Sequence, residues 1–435
     1  MNTAGLFIAD NGDTYLDKKR HLWLMSLVIP GIAVAGPLLY MQFQNELFLW
    51  AFLVIAYAVF PLMDFLLGED TSNPPESVVP LLEADPYYRM ITILHVPIVI
   101  ASFVFCAWFV GSYELTVGGY IATAIVAGNI GGHGLNIGHE LGHKKNKLDQ
   151  WLAKIVLAPA AYGHFFIEHN SGHHRHVATP EDPASSRMGE NIYAFAIREI
   201  PGAIHRAYTI ERERLKAEGK SPWSLQNEFL QTMLMTFSAY ISLGIWLGAS
   251  IVPYLLIAAF WSMWQLTSAN YIEHYGLLRQ KLPSGRYERP QPHHSWNSNH
   301  LFSNWALFHL QRHSDHHANA TRSYQSLRHF ENLPTFPNGY FGMYTIAYIP
   351  WLWFKVMNKR LIEVTGGDVA KINILASRRE ELIRVYHLSK EGMKKELNKE
   401  TDQTIELKFK QGPKYTITEP SVTERPLTEA TILFD

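Results

Sequence analysis

The sequence predicts an all-α integral membrane protein with six transmembrane helices. Charged residues make up only 18% of the 435 residues, below the usual quarter, and long stretches contain none. A membrane-spanning helix needs about 20 predominantly apolar residues. Five stretches without Asp, Glu, Lys or Arg approach or exceed that length, at 22–45, 47–63, 90–112, 115–138 and 229–272.

The first four of these stretches predict two pairs of spans, one pair joined near Glu46 and the other near Glu114. The fifth stretch has 44 residues, enough for two spans with a turn near 248–253. Prolines within the stretches are tolerated in membrane helices. The alternative is a large soluble protein with buried core helices. Soluble cores rarely sustain 44 residues without charge, so the membrane interpretation is favoured.

The positions of the cations predict the orientation of the spans. Cytoplasmic loops are enriched in Lys and Arg, and such residues precede the first span and follow the fourth and sixth: Lys18, Lys19, Arg20, Lys144, Lys145, Lys147, Arg279 and Lys281. The remaining loops, near 44–46, 113–114 and 248, carry no cation. Both termini are therefore expected in the cytoplasm, and the acidic N-terminal segment does not resemble a cleaved signal.

This topology predicts three regions along the chain. A cytoplasmic tail covers 1–21, the six-span domain covers 22–389, and a charged tail covers 390–435. Two polar parts of the domain, 139–228 and 273–389, are expected to form a cytoplasmic helical cap. Within them, the apolar stretches 150–169 and 340–356 are expected to be helices, the second lying in the membrane interface.

Composition excludes several classes of function. The net charge of −1 gives no electrostatic basis for nucleic-acid binding. A single cysteine, Cys106, excludes an internal disulfide, an iron–sulfur cluster held by this chain and a CxxC redox site. Since the chain also has no flavin or nicotinamide fingerprint, any electrons that it uses must come from another protein.

Histidines are concentrated in the two polar regions. Of the 21 histidines, 17 lie between His133 and His317. Three clusters and one single residue stand out: 139–143 (HELGH), 169–174 (HNSGHH), His274 and 313–317 (HSDHH). Residues three and four apart share a helix face, so within each cluster the histidines are expected to point the same way.

Nine clustered histidines predict a dimetal site in the cytoplasmic cap. Neutral imidazole suits zinc, copper, iron and nickel, and one metal takes about four to six ligands. Nine ligands therefore imply two metals, divided most simply as five and four. His95 and His133 lie inside predicted spans and are interpreted as structural or as orienting other groups.

Two other functions remain open on these residues alone. The first cluster has the H-E-x-x-H spacing of zinc metalloproteases, with Glu140 as general base, although this leaves the other clusters unexplained. A non-catalytic metal transporter would instead place its ligands inside the spans. About one zinc per chain would favour the protease, and about two irons would favour an oxidase.

The clusters and their neighbouring residues resemble the bacterial alkane 1-monooxygenases, a family of membrane non-haem diiron enzymes related to fatty-acid desaturases. The matching strings are 139–144 (HELGHK), 168–175 (EHNSGHHR), 178–184 (ATPEDPA), 266–277 (LTSANYIEHYGL) and 310–317 (LQRHSDHH). The string NYIEHYG is the most discriminating, since general desaturases lack it. The resemblance covers roughly 17–383.

The resemblance implies terminal hydroxylation of medium-chain n-alkanes to primary alcohols in the bacterial inner membrane. It implies O2 as co-substrate and electrons from rubredoxin, which a rubredoxin reductase reduces. Two non-haem irons would be held by His139, His143, His169, His173, His174, His274, His313, His316 and His317. The alternative within the superfamily is a fatty-acyl desaturase or hydroxylase, which would need a site for a polar head group.

Two further sets of residues are expected around the irons. Side chains that orient the ligand imidazoles are expected among Glu140, Glu168, His176, Asp182, Glu273 and Asp315. A cytoplasmic basic patch should receive the acidic rubredoxin, with candidates Lys144, Lys145, Arg175, Arg187 and Arg198. No separate side-chain base is expected. An alkane has no polar group, so a narrow apolar channel must select its terminal carbon.

Overall fold

The computed structural model describes residues 5–389, and these are mostly helical. The two strands, β1 (Leu6–Ile8) and β2 (Thr14–Leu16), form an antiparallel hairpin at the N-terminus. Lys19 Nζ lies 2.7 Å from an Asp70 carboxylate oxygen, which ties this segment to the loop after the second apolar helix. The expected charged tail, 390–435, lies outside the described residues.

The first two predicted spans are helical. A 3₁₀ turn over Leu22–Leu27 leads into α1 (Val28–Phe43), and the second span consists of α2 (Leu47–Val54), a π-helical turn (Ile55–Val59) and α3 (Phe60–Leu67). Gln44 adopts φ 51° and ends α1. The charge-free stretches therefore predicted the helices, but not the π turn inside the second one.

The next helices are α4 (Val79–Ala84), α5 (Pro86–Ser112) and α6 (Val117–Gly142). The two long helices begin at capping residues. The Asp85 side chain accepts a hydrogen bond from the Tyr87 N–H, and the Thr116 side chain accepts one from the Gly119 N–H. Such caps satisfy the free N–H groups of the first turn, so both helices start close to the predicted positions.

The first polar region contains short helices and one long one. In chain order these are α7 (Lys147–Leu157), a 3₁₀ turn (Ala158–Ala160), α8 (Phe165–Ile167), a π-helical turn (Glu168–His173), α9 (His174–His176) and α10 (Ile192–Ala217). The expectation of one helix over 150–169 is wrong. Pro159 cannot donate a backbone hydrogen bond, and Ala161 has φ 51°, so the chain turns there.

The 44-residue stretch forms α11 (Glu228–Leu247) and α12 (Ile251–Glu273). Gly248, with φ 88°, ends α11 and confirms the predicted turn. The second polar region contains α13 (Leu301–Ala306), α14 (His313–Ala318), α15 (Tyr340–Ala347), α16 (Pro350–Thr365) and α17 (Arg379–Val385).

The apolar stretch 340–356 is not one interfacial helix. It breaks between α15 and α16, where Pro350 begins the second helix. Five of the eight residues of α15 are buried, and α15 packs against α3 and α12. Of the aromatic residues that suggested a membrane interface, Tyr340, Tyr344 and Trp353 are buried in the protein core, whereas Trp351 is exposed.

Five helical segments among the described residues are long and apolar enough to cross a membrane: Leu22–Phe43, Leu47–Leu67, Pro86–Ser112, Glu228–Leu247 and Ile251–Glu273. The remaining predicted span, α6, is a 26-residue helix but is not one of these five. Nineteen of its residues are buried. Because its surface contacts other helices, α6 carries glycine and polar residues without exposing them to lipid.

Glycines bring α6 close to α12. A β-carbon at Gly128 would lie 2.5 Å from Trp261 Cβ, and one at Gly131 would collide with Ser262 Oγ. Ser262 Oγ also donates a hydrogen bond to the Gly128 carbonyl at 3.0 Å. The 139–143 cluster lies at the C-terminal end of α6, and His274 directly follows α12.

Candidate metal centre

All nine clustered histidines converge, and they form two groups. The larger group contains His139, His143, His169, His174 and His316, and the smaller group contains His173, His274, His313 and His317. Within each group the candidate ligand nitrogens lie within 4.8 Å of one another. The structure thus brings together every histidine that the spacing and the resemblance selected, divided five and four as predicted.

The assignment within the clusters differs from the predicted shared faces. The π-helical turn Glu168–His173 has i→i+5 geometry, so His169 shares a group with His174, five residues on. His173 belongs to the other group. On α14, His313 and His317 share a group, as residues four apart should, while His316 points to the larger group. The clusters at 169–174 and 313–317 therefore each contribute histidines to both groups.

The distances between imidazole nitrogens fit metal ligation. His139 Nε2 lies 2.9 Å from His316 Nε2, and His169 Nε2 lies 3.0 Å from His174 Nε2. In the smaller group, His313 Nε2 lies 3.0 Å from His317 Nε2. Two nitrogens bound at right angles to one ion, at about 2.0–2.1 Å, would be about 2.9 Å apart. Converging Nε2 atoms at this spacing suit one cation in each group.

Burial keeps most of these imidazoles in the neutral form that binds metals. It lowers the pKa of each of the following histidines well below the usual value: His143, His169, His174, His313, His316 and His317. His173 differs. Burial alone would lower its pKa, but the charge of Asp182 and its hydrogen bond raise the pKa overall.

Two of the expected orienting carboxylates contact ligand candidates directly. Asp182 Oδ2 lies 2.9 Å from His173 Nδ1, and a Glu273 carboxylate oxygen lies 3.4 Å from His313 Nε2. The contact to Nδ1 leaves His173 Nε2 free to face its group. Burial alone would raise the pKa of Asp182, but His173 and Arg206 hold it well below its usual range.

The other four expected orienting residues have different partners among the described residues. Glu168 pairs with Arg206, and Glu140 pairs with Lys144. Asp315 accepts hydrogen bonds from Asn319, Arg322 and the Arg328 N–H. His176 lies outside both groups, with its Nδ1 3.5 Å from a Glu181 oxygen. These pairs hold the segments next to the ligand candidates, rather than the imidazoles themselves.

A cavity opens beside the histidines. At one end it is lined by His139 and His169 of the larger group and by His313 of the smaller group. It follows α6 through Asn136 and His133 to Asn129. The lining is predominantly apolar, with residues such as Phe52, Ala56, Phe60, Leu266 and Phe341. The sequence predicted such a channel but could not name its lining.

The five basic residues expected to dock an electron donor differ in exposure and in whether their side chains form ion pairs. Lys145 and Arg175 are exposed. Lys144 pairs with Glu140 at 2.7 Å, and Arg198 pairs with Glu190 at 2.9 Å. Arg187 is half-buried. Among the described residues, the side chains of Lys145, Arg175 and Arg187 have no ion-pair partner, and of these only Lys145 and Arg175 are exposed.

A third set of possible ligands, Glu288, His293 and His294, lies close together on the loop after α12. The Gln291 N–H donates to His294 Nδ1 at 2.9 Å. Neutral His294 must then carry its proton on Nε2, which faces a Glu288 oxygen at 3.3 Å. This tautomer favours an imidazole–carboxylate contact over metal binding.

Sequence reasoning missed two residues of α10 near the centre, the partly buried Arg206 and the buried Glu199. Arg206 contacts Glu168 and Asp182, and Glu199 accepts hydrogen bonds from Tyr162, Thr267 and Asn270. Both lie more than 20 residues from every partner named here, so no local motif indicated them. The only signal in the sequence was that each residue places a charge near the apolar residues of an amphipathic helix.

The fold and the site together define a helical protein with membrane-length apolar helices and a paired all-histidine centre. Comparison with known proteins agrees with this class. Residues 115–347 match the fatty acid desaturase family. Alkane 1-monooxygenase 1 of Alcanivorax borkumensis is 55% identical over 375 residues, covering 86% of this chain and 92% of that protein.

Two further relatives are similar over nearly the same extent. The alkane 1-monooxygenases of Ectopseudomonas oleovorans and Pseudomonas putida are each 50% identical, and they cover 88% and 87% of this chain and 96% and 94% of their own lengths. The chain belongs to the alkane 1-monooxygenase family and is an enzyme. The resemblance found in the sequence is thereby confirmed, and neither a zinc protease nor a metal transporter is supported.

Proposed function

We propose that this enzyme hydroxylates the terminal methyl group of medium-chain n-alkanes to primary alcohols, with O2 as co-substrate. The observation that carries the proposal is a predominantly apolar cavity whose lining includes histidines of both groups. An alkane offers no hydrogen-bonding group, so an enzyme must select it by shape and burial. A desaturase acting on fatty-acyl chains would also need a site for the head group.

Two iron ions are the metals that best suit this site. The five histidines of the larger group would hold one iron and the four of the smaller group the other. Either set leaves a position open on an octahedral metal. When bound, the irons supply the redox chemistry that activates O2, which zinc cannot supply. Asp182 would orient the imidazole of His173 through Nδ1, whereas Glu273 faces Nε2 of His313, the nitrogen that would bind the metal.

The side chains of the cavity position the substrate and keep water out. Because His139 and His313 line the same end, the methyl group would lie beside both irons. Phe165 and Leu310 line the cavity with apolar side chains, which would disfavour water there. The α6 residues from Asn129 to His139 extend over about 15 Å at 1.5 Å per residue, a length suited to an extended medium chain.

The proposed topology has six spans, with α6 joining the five apolar helices. Both termini, the cap of 139–228 and 273–389, and the metal centre would face the cytoplasm of a bacterial inner membrane. The cation distribution supports this orientation, because Lys18, Lys19 and Arg20 precede the first span and Lys144 and Lys145 follow α6. The regions 1–21, 22–389 and 390–435 remain the proposed divisions of the chain.

Rubredoxin, reduced by its reductase, is the proposed electron donor. A small acidic protein would dock on cytoplasmic cations, and the exposed Lys145 and Arg175 are the strongest candidates. Lys144, Arg187 and Arg198 would contribute to the local field rather than to direct contacts. This docking should weaken as salt screens the charges.

The decisive experiment supplies purified enzyme, ferrous iron and reduced rubredoxin with octane or dodecane. We expect the corresponding 1-alkanol and about two irons per chain. A parallel reaction with a saturated fatty-acyl thioester tests the alternative, for which the product would be an olefin or a hydroxylated acyl chain. Failure to form 1-alkanol with two irons bound would overturn the proposed function. One zinc per chain would overturn the metal assignment.

A further inference from the structure

Arg206 is a cation that reaches from α10 toward the histidine centre. Its side chain is 15% exposed, and one nitrogen, Nη2, donates hydrogen bonds to both Glu168 Oε1 and Asp182 Oδ1. The distance to Asp182 is 2.8 Å. Among the described residues, Nε and Nη1 have no hydrogen-bond partner. The two carboxylates are therefore what holds the guanidinium in place.

Each carboxylate is one step from a ligand candidate. Asp182 Oδ2 lies 2.9 Å from His173 Nδ1, in the four-histidine group. Glu168 directly precedes His169, which belongs to the five-histidine group. Glu168 and Asp182 lie 14 residues apart in the sequence. A single cation on α10 thus connects the residues that flank both groups.

The backbone leaves room for this approach. A β-carbon at Gly172, within the π-helical turn that carries His169 and His173, would lie 2.7 Å from Arg206 Nε. Any larger residue at this position would press on the guanidinium. Glycine therefore permits the arginine to lie against the turn from which the second histidine cluster projects.

The charges explain why a cation is needed there. Glu168 and Asp182 are both buried, at 3% and 1% exposure, and without Arg206 they would face each other as like charges with little solvent screening. Their repulsion would move Asp182 away from the His173 imidazole. Loss of a group that orients a metal-bound histidine typically lowers metal affinity 10- to 100-fold.

We propose that Arg206 is a positioning residue for the metal centre. It holds Asp182 against His173 and fixes Glu168 beside His169, so that both histidines present Nε2 to their metals. This inference rests on the proposed function only in taking the two histidine groups as metal sites. It requires neither an alkane substrate nor rubredoxin.

The test compares four variants by metal affinity. Fe²⁺ is titrated against a competing chelator for R206Q, R206K, D182N and the double variant R206Q/D182N, with R212Q as control. Arg212 lies on the same helix but is exposed and stacks over Tyr208. We expect R206Q to lose at least tenfold in Fe²⁺ affinity and R212Q to match the unmodified enzyme. Since one nitrogen makes both contacts, the lysine of R206K should restore most of the affinity.

The double variant separates positioning from a general structural role. If Arg206 acts through Asp182, adding R206Q to D182N should lower affinity by much less than R206Q does alone. The absorption spectrum of bound Co²⁺ gives a second readout, which R206Q should alter and R212Q should not. Unchanged Fe²⁺ affinity in R206Q, or full additivity in the double variant, would overturn the proposal. If the unmodified enzyme binds two metals without forming 1-alkanol, the proposed function fails while this inference stands.

Discussion

Glu199 is a buried carboxyl group at the junction of α10 and α12. It accepts hydrogen bonds from Thr267 at 2.8 Å, Asn270 at 3.1 Å and Tyr162 at 3.4 Å. Burial nevertheless raises its pKa from the ordinary 4.5 to about 7, and nearby Glu168 contributes to the increase. Asn270 also lines the cavity, so this carboxyl group helps to shape the substrate site from behind.

The raised pKa of Glu199 predicts a pH dependence of stability. Between pH 4.5 and 7 the folded chain binds the Glu199 proton more tightly than the unfolded chain does. Protonated Glu199 therefore stabilises the folded state at low pH, and this stabilisation is lost as the pH rises through 7. Relative to E199Q, we expect the metal-free enzyme to lose about 2 to 3 kcal/mol of unfolding free energy between pH 5 and pH 8.

Denaturant unfolding in detergent at the two pH values would measure this difference. The comparison with E199Q cancels the titration of the histidines, which both proteins share. An equal stability gap between the two proteins at pH 5 and pH 8 would show that Glu199 has an ordinary pKa.

Individual residues of the metal centre were predictable where spacing within one helix determines their position. His139 and His143, four residues apart, share a group as their helical spacing requires. His169 and His173 do not, because a π turn shifts the relation to five residues. Arg206 contacts Asp182 across 24 residues, and no sequence spacing encodes that contact.

At the scale of helices, absence of charge predicted the long apolar helices well, while irregularities inside them followed from packing. The turn between α11 and α12 was visible at Gly248. The break of the 150–169 segment was not recognised, although Pro159 lies within it. The polar character of α6 is explained by its central position, which only the assembled bundle reveals.

The close packing of α6 and α12 predicts that Gly131 does not tolerate a side chain. In G131A the new methyl group would collide with Ser262 Oγ, which donates hydrogen bonds to the Gly128 and Ala258 carbonyls. Overpacking of this kind costs about 1–3 kcal/mol. We expect a lower unfolding midpoint for G131A in detergent.

A matched control is G244A on α11, where a β-carbon would meet no atom within 4 Å. This variant should keep or slightly raise the midpoint, since alanine favours helix over glycine. Similar midpoints for G131A and G244A would mean that α6 and α12 can separate without cost.

For the whole molecule, the exposed surface and the buried centre point to the same environment. Large apolar side chains are strongly exposed on several long helices, including Phe65 at 77%, Val117 at 76% and Ile245 at 81%. Apolar surface of this kind indicates contact with lipid or another protein. The polar centre lies where the ends of α6 and α12 meet the segments of the second and fourth histidine clusters.

The metal centre connects these distant segments, so removing its metals should destabilise the whole molecule. Ligands that bind only the folded state add about 4 kcal/mol when present at 1,000 times their Kd. We expect a chelator to lower the thermal midpoint of the iron-loaded enzyme by about 5 °C, and added Fe²⁺ to restore it.

H316A, which loses a member of the larger group, should respond less. H176A should respond like the unmodified enzyme, because His176 lies outside both groups. A midpoint that chelation leaves unchanged, in enzyme that has demonstrably lost its iron, would show that protein contacts alone hold the four histidine segments together.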